Sequence, residues 1–131
     1  MVKTMRPKSK KPKKQRKYIK TAPLHKRRMM ISSHLSEELR KEYGKRSFTV
    51  RAGDEVLIMR GKFKGKSGKI SKVDLKKYKV YIEGITIRRT DGTERQAAIH
   101  PSNLKVRKLN LEDKRRSAAL KRKTKTVGEK K

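Results

Sequence analysis

The apolar residues of this chain are confined to one stretch, and that confinement limits the fold more than any other feature. Hydrophobic residues make up 31% of the 131 positions. Of these 41 residues, 23 lie between positions 47 and 109, against 13 before and 5 after. Only those central 63 residues hold enough apolar surface for a core. Lysine and arginine number 42 against 12 acids, a net charge of +30, split as +14 over 1–46, +10 over 47–109 and +6 over 110–131. A compact body so charged repels itself, and an array of phosphates relieves that repulsion while released counterions drive association. An anionic membrane would call for a basic helix with an apolar opposite face, which the sequence does not show at useful length. The longest apolar run, Val56-Leu57-Ile58-Met59, is far shorter than the roughly 20 residues of a membrane helix. No apolar segment follows the basic N-terminus as a secretory signal would require. With no cysteine, disulfides, thiolate metal sites and cysteine nucleophiles are excluded. The expectation is an intracellular protein that binds nucleic acid, with no membrane partner.

Four segments follow from these patterns. Residues 1–22 read as a basic extended arm: the first twenty hold ten lysines and arginines, no acid, and prolines at Pro7 and Pro12. Such a stretch buries too little to order itself alone. Residues 23–46 read as short helices docked on the central domain. One is opened by Pro23 and runs to about Ile31. The other is capped by Ser36, carries Glu37 and Glu38 at its positive end and stops at Gly44. Leu35, Leu39 and Tyr43 would form its apolar stripe, and Met29-Met30-Ile31 a docking contact.

Residues 47–109 read as strands over Glu55–Arg60, Gly68–Val73, Lys79–Ile82, a fourth around Ile85 and Ile87, Gln96–Ile99 and Leu104–Leu109. Asp91-Gly92 marks a hairpin. Five or six short strands joined by tight turns predict a small barrel, which leaves no sheet edge exposed. Residues 110–131 read as a basic, polar C-terminal helix and tail, capped by Asn110 with Asp113 three residues on. The fold class expected is mainly β.

Gly61-Lys62-Phe63-Lys64-Gly65-Lys66-Ser67 is close to a phosphate-binding P-loop but is not one. Three residues, not four, separate the glycines, and Ile70 and Val73 favour a strand where a P-loop opens a helix. The stretch GDEVLIMRGKFKGKSGKISKV, Gly53 to Val73, resembles instead the KOW motif, two strands joined by a glycine-lysine loop. The segments MRPKSKKPKKQRK, TAPLHKRRMMISSHLSEELRKEYG, KKYKVYIEG and IHPSNLKVRKLNLEDKRR extend the likeness over nearly all of residues 1–123. Together they resemble the KOW-motif large-subunit ribosomal proteins of universal family twenty-four, in the archaeal and eukaryotic form. The final TKTVGEKK adds nothing to it.

That resemblance implies an SH3-like barrel, no enzymatic activity and no cofactor. It implies binding of large-subunit ribosomal RNA near its 5′ end, early joining in assembly, and a place near the mouth of the polypeptide exit tunnel. Partners would be that RNA, neighbouring ribosomal proteins and nascent-chain factors at the exit, without homo-oligomers. The location would be the cytoplasmic ribosome, reached through the nucleolus in a eukaryote.

Charge and placement nominate the RNA-binding residues. The arm offers Lys8, Lys10, Lys11, Lys13, Lys14, Arg16, Lys17 and Lys20 to phosphate, with Tyr18 free to stack on a base. The central loop offers Arg60, Lys62, Lys64, Lys66 and Lys69, with Gly61, Gly65 and Gly68 letting backbone approach. His25, Arg27, Arg28, Arg88, Arg89 and His100 complete the set. Contacts of this kind position rather than read sequence, so RNA shape would supply specificity. Blander readings stand beside these: a solvated loop for the three lysines, a nuclear-import signal for Lys8 to Lys20, and surface or capping roles for His25 and His100. Phe63, Tyr78 and Tyr81 read as packing residues, and three scattered histidines make no metal site. No nucleophile, base and orienter form a catalytic set. A transcription-elongation KOW factor, with a barrel serving protein contacts, and a DNA packager are the competing functions. The first normally carries a further domain, and the second shows internal repeats that this chain lacks.

Overall fold

The computed structural model describes residues 7–122. The start of the expected basic arm and the expected frayed C-terminal tail lie outside those residues.

The first correction concerns the arm. Helix α1, Pro12–Thr21, occupies what was expected to be extended chain. Pro12 sits in the first turn, where its missing N–H costs nothing. Gln15, Tyr18, Ile19 and Ala22 fall on one face by the spacing of three and four, and Lys13, Arg16, Lys17 and Lys20 on the other. Of the first set Ala22 is buried and Tyr18 half-buried, while Gln15, Ile19 and the cations are exposed. A helix with no fully buried residue needs outside support. Arg27 supplies it, from helix α2, Leu24–Met30. Its guanidinium donates to the Ala22 carbonyl at 2.8 Å, to the Lys20 carbonyl, and to the Lys76 carbonyl at 3.2 Å.

Strand β1, Ser32–Leu35, comes next, and the sequence pattern had not shown it. Helix α3, Glu37–Tyr43, is capped as expected: the Ser36 hydroxyl accepts from the Leu39 N–H, and Gly44 closes the helix with φ 64°. Leu35, read as part of its stripe, is instead a fully buried strand residue. A second unforeseen strand follows, β2, Ser47–Thr49. Then come β3, Glu55–Ile58, and β4, Ser67–Asp74. The two strands expected between Lys79 and Arg88 are one, β5, Lys79–Arg88. Strand β6, Glu94–Ile99, is reached through the Asp91-Gly92 hairpin, where the Arg89 N–H donates to the Thr93 carbonyl. A short 3-10 turn, Pro101–Asn103, leads into β7, Leu104–Lys108.

The expected SH3-like barrel does not form. The seven strands make an open sheet in the order β2-β1-β7-β3-β4-β5-β6, so β2 and β6 are its edges. The reason lies in β7. One side pairs antiparallel with β3 and the other pairs parallel with β1 at His34–Lys105 and Leu35–Val106. Both edges of β7 are thus occupied, and the β1–β2 pair extends the sheet where closure would have to occur. The core reflects this. Ile31 and Leu35 pack with Val56, Ile58, Ile70, Val80, Ile82, Leu104 and Val106, so the segment before residue 47 helps to build the centre.

Helix α4, Lys114–Lys121, is capped by Asp113, whose carboxylate accepts from the Arg115 N–H, and not by Asn110. The Arg51 guanidinium hydrogen-bonds Asp113 at 2.6 Å and holds its carboxyl below the ordinary carboxylate value. The helix is fixed by a buried ion pair. Arg116 donates from two nitrogens to both oxygens of Asp54, each at 2.6 Å, and the two side chains are 3% and 0% exposed. The backbone N–H groups of Arg51 and Asn110 also donate to Asp54, at 2.9 Å each. Gly53, with φ +92°, packs so tightly on Asn110 that a β-carbon would meet its Nδ2 at 2.8 Å.

Breaking this pair from either side should be costly, because the remaining charge is left buried. Asp54→Ala and Arg116→Ala are each expected to lower urea-unfolding stability by about 3–5 kcal/mol. The double variant should lose much less than the sum. Losses below about 1 kcal/mol, as for an exposed pair, would contradict this account.

Candidate nucleic-acid interface

The glycine-lysine loop is built outward from one aromatic side chain. Two successive turns, Lys64 N–H to Gly61 O and Lys66 N–H to Phe63 O, fold it between β3 and β4. Bonds from Gly65 N–H to Ile58 O and from Ile58 N–H to Lys66 O close its neck at 2.9 Å each. Gly61 and Gly65 take φ of +96° and +87°, conformations that side chains resist. Phe63 turns onto the core, and Lys66 lies 5.4 Å from its ring centre. Lys62, Lys64 and Lys66 are all exposed, as are Arg60 and Lys69. Gly68 answers an internal need: a β-carbon there would stand 2.8 Å from Ile82 Cγ2 and 3.1 Å from the Glu83 carbonyl.

The other nominated residues are distributed over several faces. Lys8, Lys10, Lys11, Lys13, Lys14, Arg16, Lys17 and Lys20 are exposed along α1 and the residues before it. Arg27 is committed to the fold, with three donors bonded and its guanidinium 5.5 Å from the Tyr78 ring centre. Tyr18 is half-buried at a cleft beneath α1 and is not free on an arm. His25 and Arg28 line a cavity of about 540 Å³ with Arg51 and Arg115, between α2 and α4. Arg88 stands directly opposite Glu94 on β6. Arg89 lines a further hollow of about 670 Å³ with Lys77, Lys79 and Arg95.

Lys77, Lys79, Arg95, Arg51 and Arg115 line the same hollows without having been nominated, since little sets them apart in so basic a sequence. The alternation of Lys77, Lys79 and Tyr81 was the one available signal for the first two.

His100 takes the capping role. Its Nδ1 accepts from the Ser102 N–H at 3.2 Å and lies 2.6 Å from the Ser102 hydroxyl. An acceptor Nδ1 puts the proton of the neutral ring on Nε2. Pro101 is buried, and its carbonyl accepts from the buried Ser33 hydroxyl at 2.6 Å. The IHPSN segment thereby joins β6, β7 and β1. Burial, and then the nearby Lys79 charge, lower the His100 pKa from 6.5.

A protein-family model described as "Ribosomal proteins L26 eukaryotic, L24P archaeal" matches residues 9–123. The chain belongs to this L26/L24P ribosomal protein family. It is 50% identical over 115 residues to the "Large ribosomal subunit protein uL24" of Methanosphaera stadtmanae, covering 88% of this chain and 98% of that one. Its identity to the "Large ribosomal subunit protein uL24" of Korarchaeum cryptofilum is 46% over 119 residues, 91% of each chain. As an L26/L24P protein it is a structural, RNA-binding component of ribosomes and has no catalytic role. Its partners are ribosomal RNA and ribosomal proteins.

The His100 environment of this L26/L24P protein has a measurable consequence. Because folding favours the neutral ring, its contribution to stability is full above pH 6.5 and is lost as pH falls through the lowered folded value. NMR titration of the free protein should give His100 a midpoint below 6.5. Lys79→Ala should raise that midpoint part of the way, because burial is the larger cause. A midpoint at or above the ordinary value would contradict the capping role.

Proposed function

We propose that the chain is a structural constituent of the large ribosomal subunit, binding large-subunit ribosomal RNA near its 5′ end by phosphate contacts. The observation that carries this reading is the folded glycine-lysine loop. Phe63 is its inward anchor, and Lys62, Lys64 and Lys66 are left exposed together. Such a loop pre-orders its cations, so less entropy is lost when phosphate binds. Exposed Arg60 and Lys69 extend the surface, and the outer face of α1 supplies a second one through Lys13, Arg16, Lys17 and Lys20. Lys8, Lys10, Lys11, Lys14, His25, Arg28, Arg88 and Arg89 are further RNA contacts in this proposal. His100 and Tyr18 act from the cleft beneath α1, and Arg27 holds the helix that carries the lysines.

The finer assignment extends what the family resemblance implies. The protein joins the subunit early and sits near the mouth of the exit tunnel, among neighbouring ribosomal proteins and within reach of nascent-chain factors. In a eukaryotic cell that early joining would take place in the nucleolus. Both relatives are large ribosomal subunit proteins by name, which supports the large subunit as the destination.

Replacing Lys62, Lys64 and Lys66 together with alanine should reduce the slope of log affinity against log salt for a 5′ large-subunit RNA fragment by about 2 to 3. An unchanged slope would remove the loop from the interface. In a density gradient of lysate, a tagged copy should remain with the large subunit after a high-salt wash. Recovery in the soluble fraction alone would favour a transcription-type KOW factor.

A further inference from the structure

Beneath α1, against the turn between β4 and β5, lies a cleft of about 500 Å³ whose wall includes Tyr18, Ile19 and Met30 and whose cations are Lys77 and Lys79, with His100 beside them. We propose that this cleft receives one unpaired nucleobase of the bound RNA, stacked on the Tyr18 ring. The proposal rests on the RNA-binding reading and names what one site does within it.

Four observations carry it. The size lies within the range of small-ligand clefts, so one base with part of its sugar fits. The lining is aromatic and apolar where a base would lie, with Ile19 46% exposed despite its apolar side chain. Lysines accompany it, and no acidic side chain among the described residues lines the cleft. That charge suits a base that arrives with a phosphate on either side, and it is wasted on an apolar peptide. The neutral His100 ring carries its proton on Nε2, leaving a donor for a ring nitrogen or carbonyl of the base.

The cleft is also pre-formed. The Tyr78 hydroxyl donates to the Ile19 carbonyl at 2.6 Å, and Arg27 lies 5.5 Å from the Tyr78 ring centre. Arg27 in turn bonds both the end of α1 and the Lys76 carbonyl. The helix and the turn therefore hold their spacing without ligand, and Tyr18 is left as the stacking surface.

The test uses the full chain and three RNA hairpins: one with a single-nucleotide uridine bulge, one with an abasic bulge, and one fully paired. The bulged hairpin should bind about tenfold tighter than either control, within what base–aromatic stacking supplies. The slope against salt should be alike for all three, because stacking releases no counterions. Tyr18→Phe should keep the preference and Tyr18→Ala should lose it. Met30→Trp fills the cleft with the Tyr18 ring in place, so it should also lose the preference while keeping the slope. A 4-thiouridine bulge should crosslink to Tyr18 or its cleft neighbours.

Equal binding of the three hairpins with a steep salt slope would overturn the base site and leave RNA binding intact. Weak, salt-insensitive binding of all three would instead overturn the RNA reading itself. If the unsubstituted protein showed no bulge preference and Met30→Trp subunits lost a neighbouring ribosomal protein, the cleft would be a protein contact and the proposal would fail.

Discussion

The buried pair of Asp54 and Arg116 is the interaction on which the rest of the arrangement depends. Asp54 follows Gly53 at the start of β3, and its carboxylate gathers two backbone N–H groups and both terminal nitrogens of Arg116. Arg116 in turn donates to the Thr49 and Asn110 carbonyls, at 3.0 and 2.7 Å. One ion pair therefore joins the end of β2, the start of β3, the chain after β7 and helix α4. In a chain with 42 cations and 12 acids, a buried acid is a scarce resource, and this one is fully hydrogen-bonded.

The same economy governs the arginine at the other end of the sheet. Arg27 does for α1 what Arg116 does for α4, but without an acid: it binds backbone carbonyls and stacks on an aromatic ring. Its planar, multiply donating group makes both possible, where lysine would offer one point charge. Two of the most consequential cations in this basic protein thus work inside the fold. The basic surface is what remains after these structural duties are met. It includes the lysine loop, the outer face of α1 and the hollows beside α2 and β5.

How legible these features were depended on how local they are. The Ser36 cap, the Gly44 stop, the Asp91-Gly92 hairpin and the KOW-like loop are written in adjacent residues, and each was readable from them. Helix α1 was hidden because lysines dominate its composition. Its stripe of Gln15, Tyr18, Ile19 and Ala22 has helical spacing but little hydrophobicity, so the charge run read as extended chain. Strands β1 and β2 are four and three residues long and polar in part, and they exist through their pairing with β7 and with each other. Asp54 and Arg116 are 62 positions apart, and no local pattern joins them.

The sequence by itself determined that a core could form only around the central segment, that polyanion binding was the expected role, and that a glycine-lysine turn would present cations between two strands. These follow from composition and from spacings within a few residues. Only the tertiary structure decided that the sheet stays open. Closure depends on which strand reaches the free side of β7, and β1 takes it through contacts about seventy residues apart. It also decided which basic side chains remain available to RNA. A guanidinium's partners are set by the backbone carbonyls that folding brings within about 3 Å, and that distance is not a property of any stretch of sequence.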